Sequence, residues 1–273
     1  GYYFSQKLVD WLGKPRKGDV ADDPYIHYAA SIQDLYEKAV LKLMDHYLGD
    51  IIKETGKIAF SGGGALNVKL NQKIIARPEV KELYAQPASG DAGGALGGAL
   101  AVWHKELNQP RTVNPDDAMQ GSYLGPVFDQ ATIEKELSEC GAIFNLVTEK
   151  DMIEQTAQTL SDGQAIGWFQ GRMEFGPRAL GGRSILGDPR SEKMQKTLNL
   201  KVKYRESFRP FAPSVLREDV SEWFEADYDS PYMLLVDDVK KDNRIEMTKE
   251  EESLFGIAKL NIKRSSIPAV THV

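Results

Sequence analysis

The chain has 273 residues, 41% of them hydrophobic, and its 34 Lys and Arg against 40 Asp and Glu give a formal charge of -6. That size and composition fit one large globular domain or two ordinary ones, and they exclude wholesale disorder. No apolar run reaches the ~18 residues of a membrane span, the start GYYFSQKLVDWLGKPRKGD is no secretory signal, and the single cysteine, Cys140, excludes a disulfide framework or a cysteine zinc site built from this chain alone. A reducing cytoplasm is the expected location, with no membrane partner.

The predicted elements alternate. SIQDLYEKAVLKLMDHYLG reads as a helix, because Ile32, Leu35, Tyr36, Ala39, Val40, Leu43, Met44 and Tyr47 recur at three- and four-residue steps. Ser31 can cap its start and Gly49 can end it. Ile58 to Phe60 form a short buried strand, Gly62 to Gly64 a turn, and Leu66 to Ile75 a helix. VKELYAQP is another strand, followed by a loop and the small-residue helix of SGDAGGALGGALAVWHKEL. Residues 108–122 are rich in Pro, Asn, Asp and Gln without periodicity, and we place a linker at 111–122. Beyond it AIFNLV is a strand, 150–161 a helix, and QAIGWFQ a strand. PRSEKMQKTLNLKV is a helix with Asp188 as N-cap and Pro189 at its first position. FAPSVL and YMLLV are further strands, and 238–253 a charged, exposed stretch. Strand–helix repetition of this kind defines an α/β architecture.

The chemistry concentrates between Gln170 and Arg217. Eleven basic residues lie there against four acids, Glu174, Asp188, Glu192 and Glu206, in a chain that is acidic overall. The stretch QGRMEFGPRALGGRSILGDPR sets Arg172, Arg178, Arg183 and Arg190 among glycines. Guanidinium forks match phosphate or carboxylate oxygens in pairs, and glycines let a backbone approach a ligand closely. Pro177 sits where a short helix would begin, whose N-terminus would add to an anion site. A phosphate-rich small molecule fits this pattern better than a single carboxylate. Lys193 and Lys196 read more simply as a solvated helix face. RNA binding is a further reading, weakened because Tyr204 and Phe208 are the available stacking residues.

AFSGGGALN is a strand, a glycine turn and a helix start, an arrangement that surrounds a phosphate with N–H groups or is simply a tight turn. It is neither a Walker loop nor G-x-G-x-x-G. Asn67 falls in the first helical turn, where its amide can meet a ligand. Asp91 precedes the Gly/Ala-rich helix and is either its cap or a metal ligand. His27, His46, His104 and His272 have no ligand-like spacing, so a metal would need donors from outside this chain. No Ser-His-Asp or Cys-His arrangement stands out. The chemistry is positioning and charge neutralisation of phosphates.

FSGGGALNVKLNQKI, SGDAGGALGGAL, GWFQGRMEFGPRALGGRSILGDPR and VKYRESFRPFAPSVL resemble the O-carbamoyltransferases of nodulation-factor and antibiotic biosynthesis. The resemblance implies a partial actin-like ATPase (ASKHA-type) lobe over residues 1–110, where carbamoyl transfer takes place. A threonylcarbamoyl-AMP synthase-like (YrdC-like) twisted-sheet α/β domain would follow over 123–273. It implies that carbamoyl phosphate and ATP, with Mg2+, become carbamoyl-adenylate. The carbamoyl group then passes to a hydroxyl of a sugar or natural product, beside an iron-type divalent metal. On that reading Arg172, Arg178 and Arg183 hold the phosphates, while Lys201, Lys203, Arg205 and Arg209 neutralise the leaving pyrophosphate. Gly62, Gly63, Gly64 and Asn67 match the adenylate-binding turn, and Asp91 matches a metal ligand. The chain has no initiator Met, the family's His-x-x-x-His motif would lie upstream, and a nucleotide-binding segment would follow the last residue. We therefore expect an incomplete fragment, inactive alone, whose partner is the missing N-terminal lobe of the same protein. The competing readings are a non-catalytic nucleotide- or RNA-binding module and a sugar-kinase relative, which would yield ADP and not AMP.

Overall fold

The computed structural model describes residues 5–14, 24–114 and 116–272, with Ile257 by its backbone alone. Residues 1–4 and 15–19 of the opening stretch read above lie outside the described residues, as does Pro115 of the expected linker. Within the opening, α1 covers Gln6–Leu12. Helix α2 spans Tyr25–Thr55 and is longer at both ends than the periodicity predicts. Ser31 and Gly49, expected at its ends, lie inside it. A glycine within a helix costs about 1 kcal/mol, which the next turn offsets by burying Ile52 to 3% exposure. The helix stops at Gly56, whose left-handed φ of 70° suits a residue without Cβ and whose N–H donates to the Ile52 carbonyl at 2.7 Å.

The apolar stripe of α2 divides between two environments. Tyr36, Val40, Leu41, Met44 and Ile52 pack inward on Ile58, Leu70, Ile74 and Val80. Ile32, Leu35, Leu43 and Tyr47 point the other way and are 56–70% exposed. Strands β1 (Lys57–Phe60) and β2 (Glu82–Ala85) lie parallel, Lys57 opposite Glu82 and Phe60 opposite Ala85. Parallel strands need a crossover, and α3 (Val68–Ile75) lies on it. Asn67 is the N-cap of α3 and not, as expected, a residue of its first turn. Helix α4 (Asp91–Ala101) follows β2 and widens into a π turn at Val102–Glu106.

The second half begins with α5 (Gln130–Glu139) and α6 (Glu149–Ser161). Strands β3 (Ile166–Phe169) and β4 (Arg183–Leu186) pair antiparallel, so the arginine-rich stretch is the loop of a hairpin. Then come α7 (Met194–Thr197) with a π turn at Leu198–Val202, α8 (Val220–Trp223), α9 (Lys249–Glu252) and α10 (Gly256–Leu260). A capping box of Thr248 and Glu251 opens α9.

Several expectations fail here. Residues 142–147, 211–216 and 232–236 join no strand ladder, and the side chain of Ile143 is fully exposed. Apolar character alone made them strands, whereas a strand needs a hydrogen-bonded neighbour. No helix starts at Pro177. Asp188 does not cap α7; it accepts instead from the Arg190 backbone at 2.9 Å and from the Arg190 guanidinium at 2.7 Å. The structure is mixed α/β, and among the described residues its strands form two two-stranded sheets.

Of the expected linker, residues 111–114 are irregular and 116–122 fold into a packed turn. Asp117 accepts from the N–H groups of Met119 at 3.0 Å and Gly121 at 2.7 Å, and from the Tyr232 hydroxyl. Met119 is buried with Ala85, Tyr232 and Leu234, so residues from before, within and after the expected linker share one core. Asn71 is fully buried on α3 and donates to the carbonyls of Ala65 at 2.8 Å and Leu234 at 2.9 Å, tying the two halves by a side chain. Replacing Asn71 by Ala strands two buried carbonyls and opens a cavity. We expect a loss of about 2–3 kcal/mol, read as a lower urea midpoint, and an unchanged midpoint would show that the link contributes nothing.

Candidate functional site

The hairpin loop, residues 170–182, is closed around one carboxylate. The Glu174 side chain is fully buried and accepts from the N–H groups of Leu180 at 2.6 Å and Gly182 at 2.8 Å. It also accepts from Arg183 Nε at 3.2 Å. Burial pushes its pKa up, yet the backbone donors outweigh burial and hold it below the ordinary 4.5. The glycine at 182 follows from this closure. A Cβ on Gly182 would lie 2.9 Å from the Arg172 carbonyl and 3.1 Å from the Glu174 carboxylate.

Arg172 and Arg178 of the loop and Arg183 at its exit have different fates. Arg172 donates to the Gly125 carbonyl at 2.8 Å. Arg183 is paired with Glu174. Arg178 is half-buried, has no ion-pair partner among the described residues, and its Nε is buried without a hydrogen bond. A buried donor without a partner is costly, so Arg178 is the member of the cluster most in need of an anion. The sequence reading treated the three alike and counted Glu174 merely as one of four acids. An acid alone among the glycines and arginines of a turn was the available signal.

The loop packs on the first half of the chain. Gly176, at φ 121°, brings its α-carbon face to 3.3 Å from the Ala88 methyl and 3.4 Å from the Pro87 carbonyl, as measured from the Cβ it lacks. Phe175 and Leu180 pack with Leu66 and Leu96 around Ala85, Met119, Tyr232 and Leu234. The arginine loop, the glycine turn and the segment leading to Asp91 are therefore neighbours.

Gly62 and Gly63 are exposed, and Gly62 has φ 93°. A Cβ on Gly64 would collide with the Tyr36 hydroxyl. The Asn67 amide, expected to meet a ligand, is engaged internally. It exchanges two hydrogen bonds with the Gln33 amide, at 2.9 and 3.0 Å, and caps Leu70 N at 3.0 Å. Asp91 is exposed at the first residue of α4, behind the N-cap Gly90, and makes no capping bond. Among the described residues no three His, Cys, Asp or Glu groups gather as metal donors. One exposed carboxylate does not by itself fit a metal.

The second basic group is built around Asn199, which is fully buried and holds the Ser207 and Arg209 carbonyls at 3.0 and 2.8 Å. Its Oδ1 accepts from Arg205 Nε at 2.6 Å, and the Arg205 guanidinium lies 4.9 Å from the centre of the Phe211 ring. Burial, then the Arg209 charge, pulls the pKa of Arg205 down. Arg209 is paired with Glu206 at 2.9 Å. Lys201 and Lys203 are exposed without ion-pair partners among the described residues. Phe211 packs with Met194, Leu198, Ala269 and Ile185, and Ile185 belongs to β4. One strand thus joins the arginine loop to the second basic group. Lys193 and Lys196 are exposed, as a solvated face requires, and with Lys263 they border a cleft of about 160 Å³.

A mixed α/β protein in which Arg178, Lys201 and Lys203 have no ion-pair partner among the described residues can neutralise an anion of several charges. Two family models match it: the carbamoyltransferase N-terminus over residues 3–100 and the carbamoyltransferase C-terminus over residues 157–273. The chain belongs to the carbamoyltransferase family. It is 49% identical to the uncharacterized protein sll1178 of Synechocystis sp., over 98% of this chain and 44% of that one. It is 41% identical to nodulation protein NolO of Bradyrhizobium diazoefficiens, over 77% and 37%. With a 3'-hydroxymethylcephem-O-carbamoyltransferase of Amycolatopsis lactamdurans it shares 27% identity over 80% and 40%. The chain spans less than half the length of these relatives.

Glu174 links the loop to pH. Its folded pKa lies below 4.5, so its contribution is complete above that value and is lost as pH falls through the folded pKa. Glu174→Gln is expected to be less stable at pH 7 and to lose less stability on acidification. Urea unfolding at pH 7 and at pH 3–4 would measure both, and equal acid sensitivity in the two proteins would contradict the assignment.

Proposed function

We propose that this chain is part of an O-carbamoyltransferase that makes carbamoyl-adenylate from carbamoyl phosphate, ATP and water, releasing inorganic phosphate and pyrophosphate, and passes the carbamoyl group to a hydroxyl of a small-molecule acceptor, releasing AMP. The observation that carries the reading is Arg178, half-buried and without a carboxylate in a family member's arginine loop. Carbamoyl phosphate and the ATP phosphates supply the missing negative charge there. Arg172 and Arg183 border the same anion, while the Gly125 carbonyl fixes Arg172, and Glu174 with the Gly176 carbonyl fixes Arg183. Lys201, Lys203, Arg205 and Arg209 neutralise pyrophosphate as it leaves.

The adenylate part then moves to the glycine turn, where Gly62, Gly63 and Gly64 offer backbone and Asn67 holds the turn in shape. Asp91 would supply one ligand to a divalent, iron-type metal only with further donors from outside the described residues. Mg2+ accompanies ATP. The acceptor is a sugar or natural-product hydroxyl, in keeping with relatives named as nodulation proteins and a cephem O-carbamoyltransferase. The working unit includes a further lobe of a longer protein, since α2 exposes Ile32, Leu35, Leu43 and Tyr47 on one side. Apolar stripes of this length are normally covered.

Arg178→Ala in the intact protein is expected to lower carbamoyl-phosphate-dependent exchange of pyrophosphate into ATP by at least a hundredfold, roughly 3 kcal/mol of transition-state stabilisation. Wild-type exchange in that variant would remove the proposed role.

A further inference from the structure

One turn of α2 faces the glycine turn with three side chains, Gln33, Tyr36 and Glu37. Gln33 pairs amide to amide with Asn67, at 3.0 and 2.9 Å. Its Nε2 also donates to Glu37 Oε1 at 2.6 Å. Glu37 is 3% exposed, and its other oxygen pairs with the Lys73 ammonium on α3. Burial pushes the Glu37 pKa up, but Lys73 and Gln33 outweigh it and keep the carboxyl ionised. Tyr36 places its hydroxyl where a side chain at Gly64 would stand. The result is a polar chain, Lys73–Glu37–Gln33–Asn67, whose inner end is the residue that closes the glycine turn.

This chain is not needed to dock α2 on α3. Val40, Met44, Leu70 and Ile74 already supply an apolar interface there. An ionised carboxylate is costly to bury, and apolar residues of similar volume would serve adhesion at least as well. What the polar chain adds is direction. It sets the plane of the Asn67 amide, and Asn67 both ends the Gly63–Leu66 turn and caps α3. The geometry points to Gln33 and Glu37 as positioning residues that hold the glycine turn in the shape that receives the adenylate. This rests on the reading of Gly62 to Gly64 as the adenylate contact.

The test uses AMP as probe and reads hydrogen exchange of the backbone amides at 61–67, which reports this turn and not the basic group beyond residue 200. In the wild-type chain AMP is expected to slow exchange there. Gln33→Met keeps the packing volume and removes the hydrogen bonds. It is expected to raise the half-protecting AMP concentration about tenfold, the equivalent of one or two net hydrogen bonds. Val40→Ala loosens the same helix pair without touching the polar chain, and is expected to lower the melting temperature while leaving the AMP concentration unchanged. Equal AMP protection in wild type and Gln33→Met overturns the inference alone. So does a shift in Val40→Ala as large as that in Gln33→Met, because the role would then be mere packing. An absence of AMP protection in the wild type overturns the adenylate reading of the turn, and this inference with it.

Discussion

The structure around the basic loop depends on one buried acid. Glu174 gathers two backbone N–H groups and a guanidinium nitrogen, and so closes residues 174–183 on themselves. Charge-assisted bonds of this kind are stronger than neutral ones, and they outweigh the cost of burying the carboxylate, as its lowered pKa records. Closure has two consequences. Glycine is required at 182, where a side chain would strike both the Arg172 carbonyl and the carboxylate. Arg183 is consumed inside the loop, which leaves Arg178 as the cation without an answer.

The closed loop also packs where two halves of the chain meet. Phe175 and Leu180 reach the cluster of Ala85, Met119, Tyr232 and Leu234, while Gly176 comes close to Pro87 and Ala88. Asn71 and Asp117 add polar ties across the same junction. A loop held open would present a different face to the Asp91 segment. The face that the loop presents to this junction is therefore the one that Glu174 closes.

Much of this was legible in the sequence, and the failures have physical causes. The order strand, glycine turn, helix, strand was readable because residues 57–85 carry local signals throughout, and each element appears within a few residues of its expected place. Helix α2 was readable by its period, but not its end. Gly49 and Gly56 look alike in sequence, and the burial of Ile52 decides between them. The segments at 142–147, 211–216 and 232–236 show the limit of apolar runs, which announce contact without saying whether a ladder forms. Strand β4 was hidden, since its first residue, Arg183, belongs to a stretch read wholly as a binding turn. The link from Gln33 to Asn67 spans 34 residues and has no local signature, so the partner of the Asn67 amide is visible in the structure alone.

An acidic chain that concentrates eleven cations in 48 residues must compensate them, and the structure does so unevenly. Arg183, Arg190, Arg209 and Arg217 have carboxylates within about 3.2 Å. Arg205 has an amide and a ring face instead, and burial draws its pKa down. Arg178, Lys201 and Lys203 have no ion-pair partner among the described residues. If solubility alone explained the cluster, the unpaired members would all be exposed. Lys201 and Lys203 meet that description, whereas Arg178 and Arg205 are half-buried. The paired arginines answer nearby carboxylates, while Arg178, half-buried with its Nε unbonded, keeps a field that a polyanion would complete.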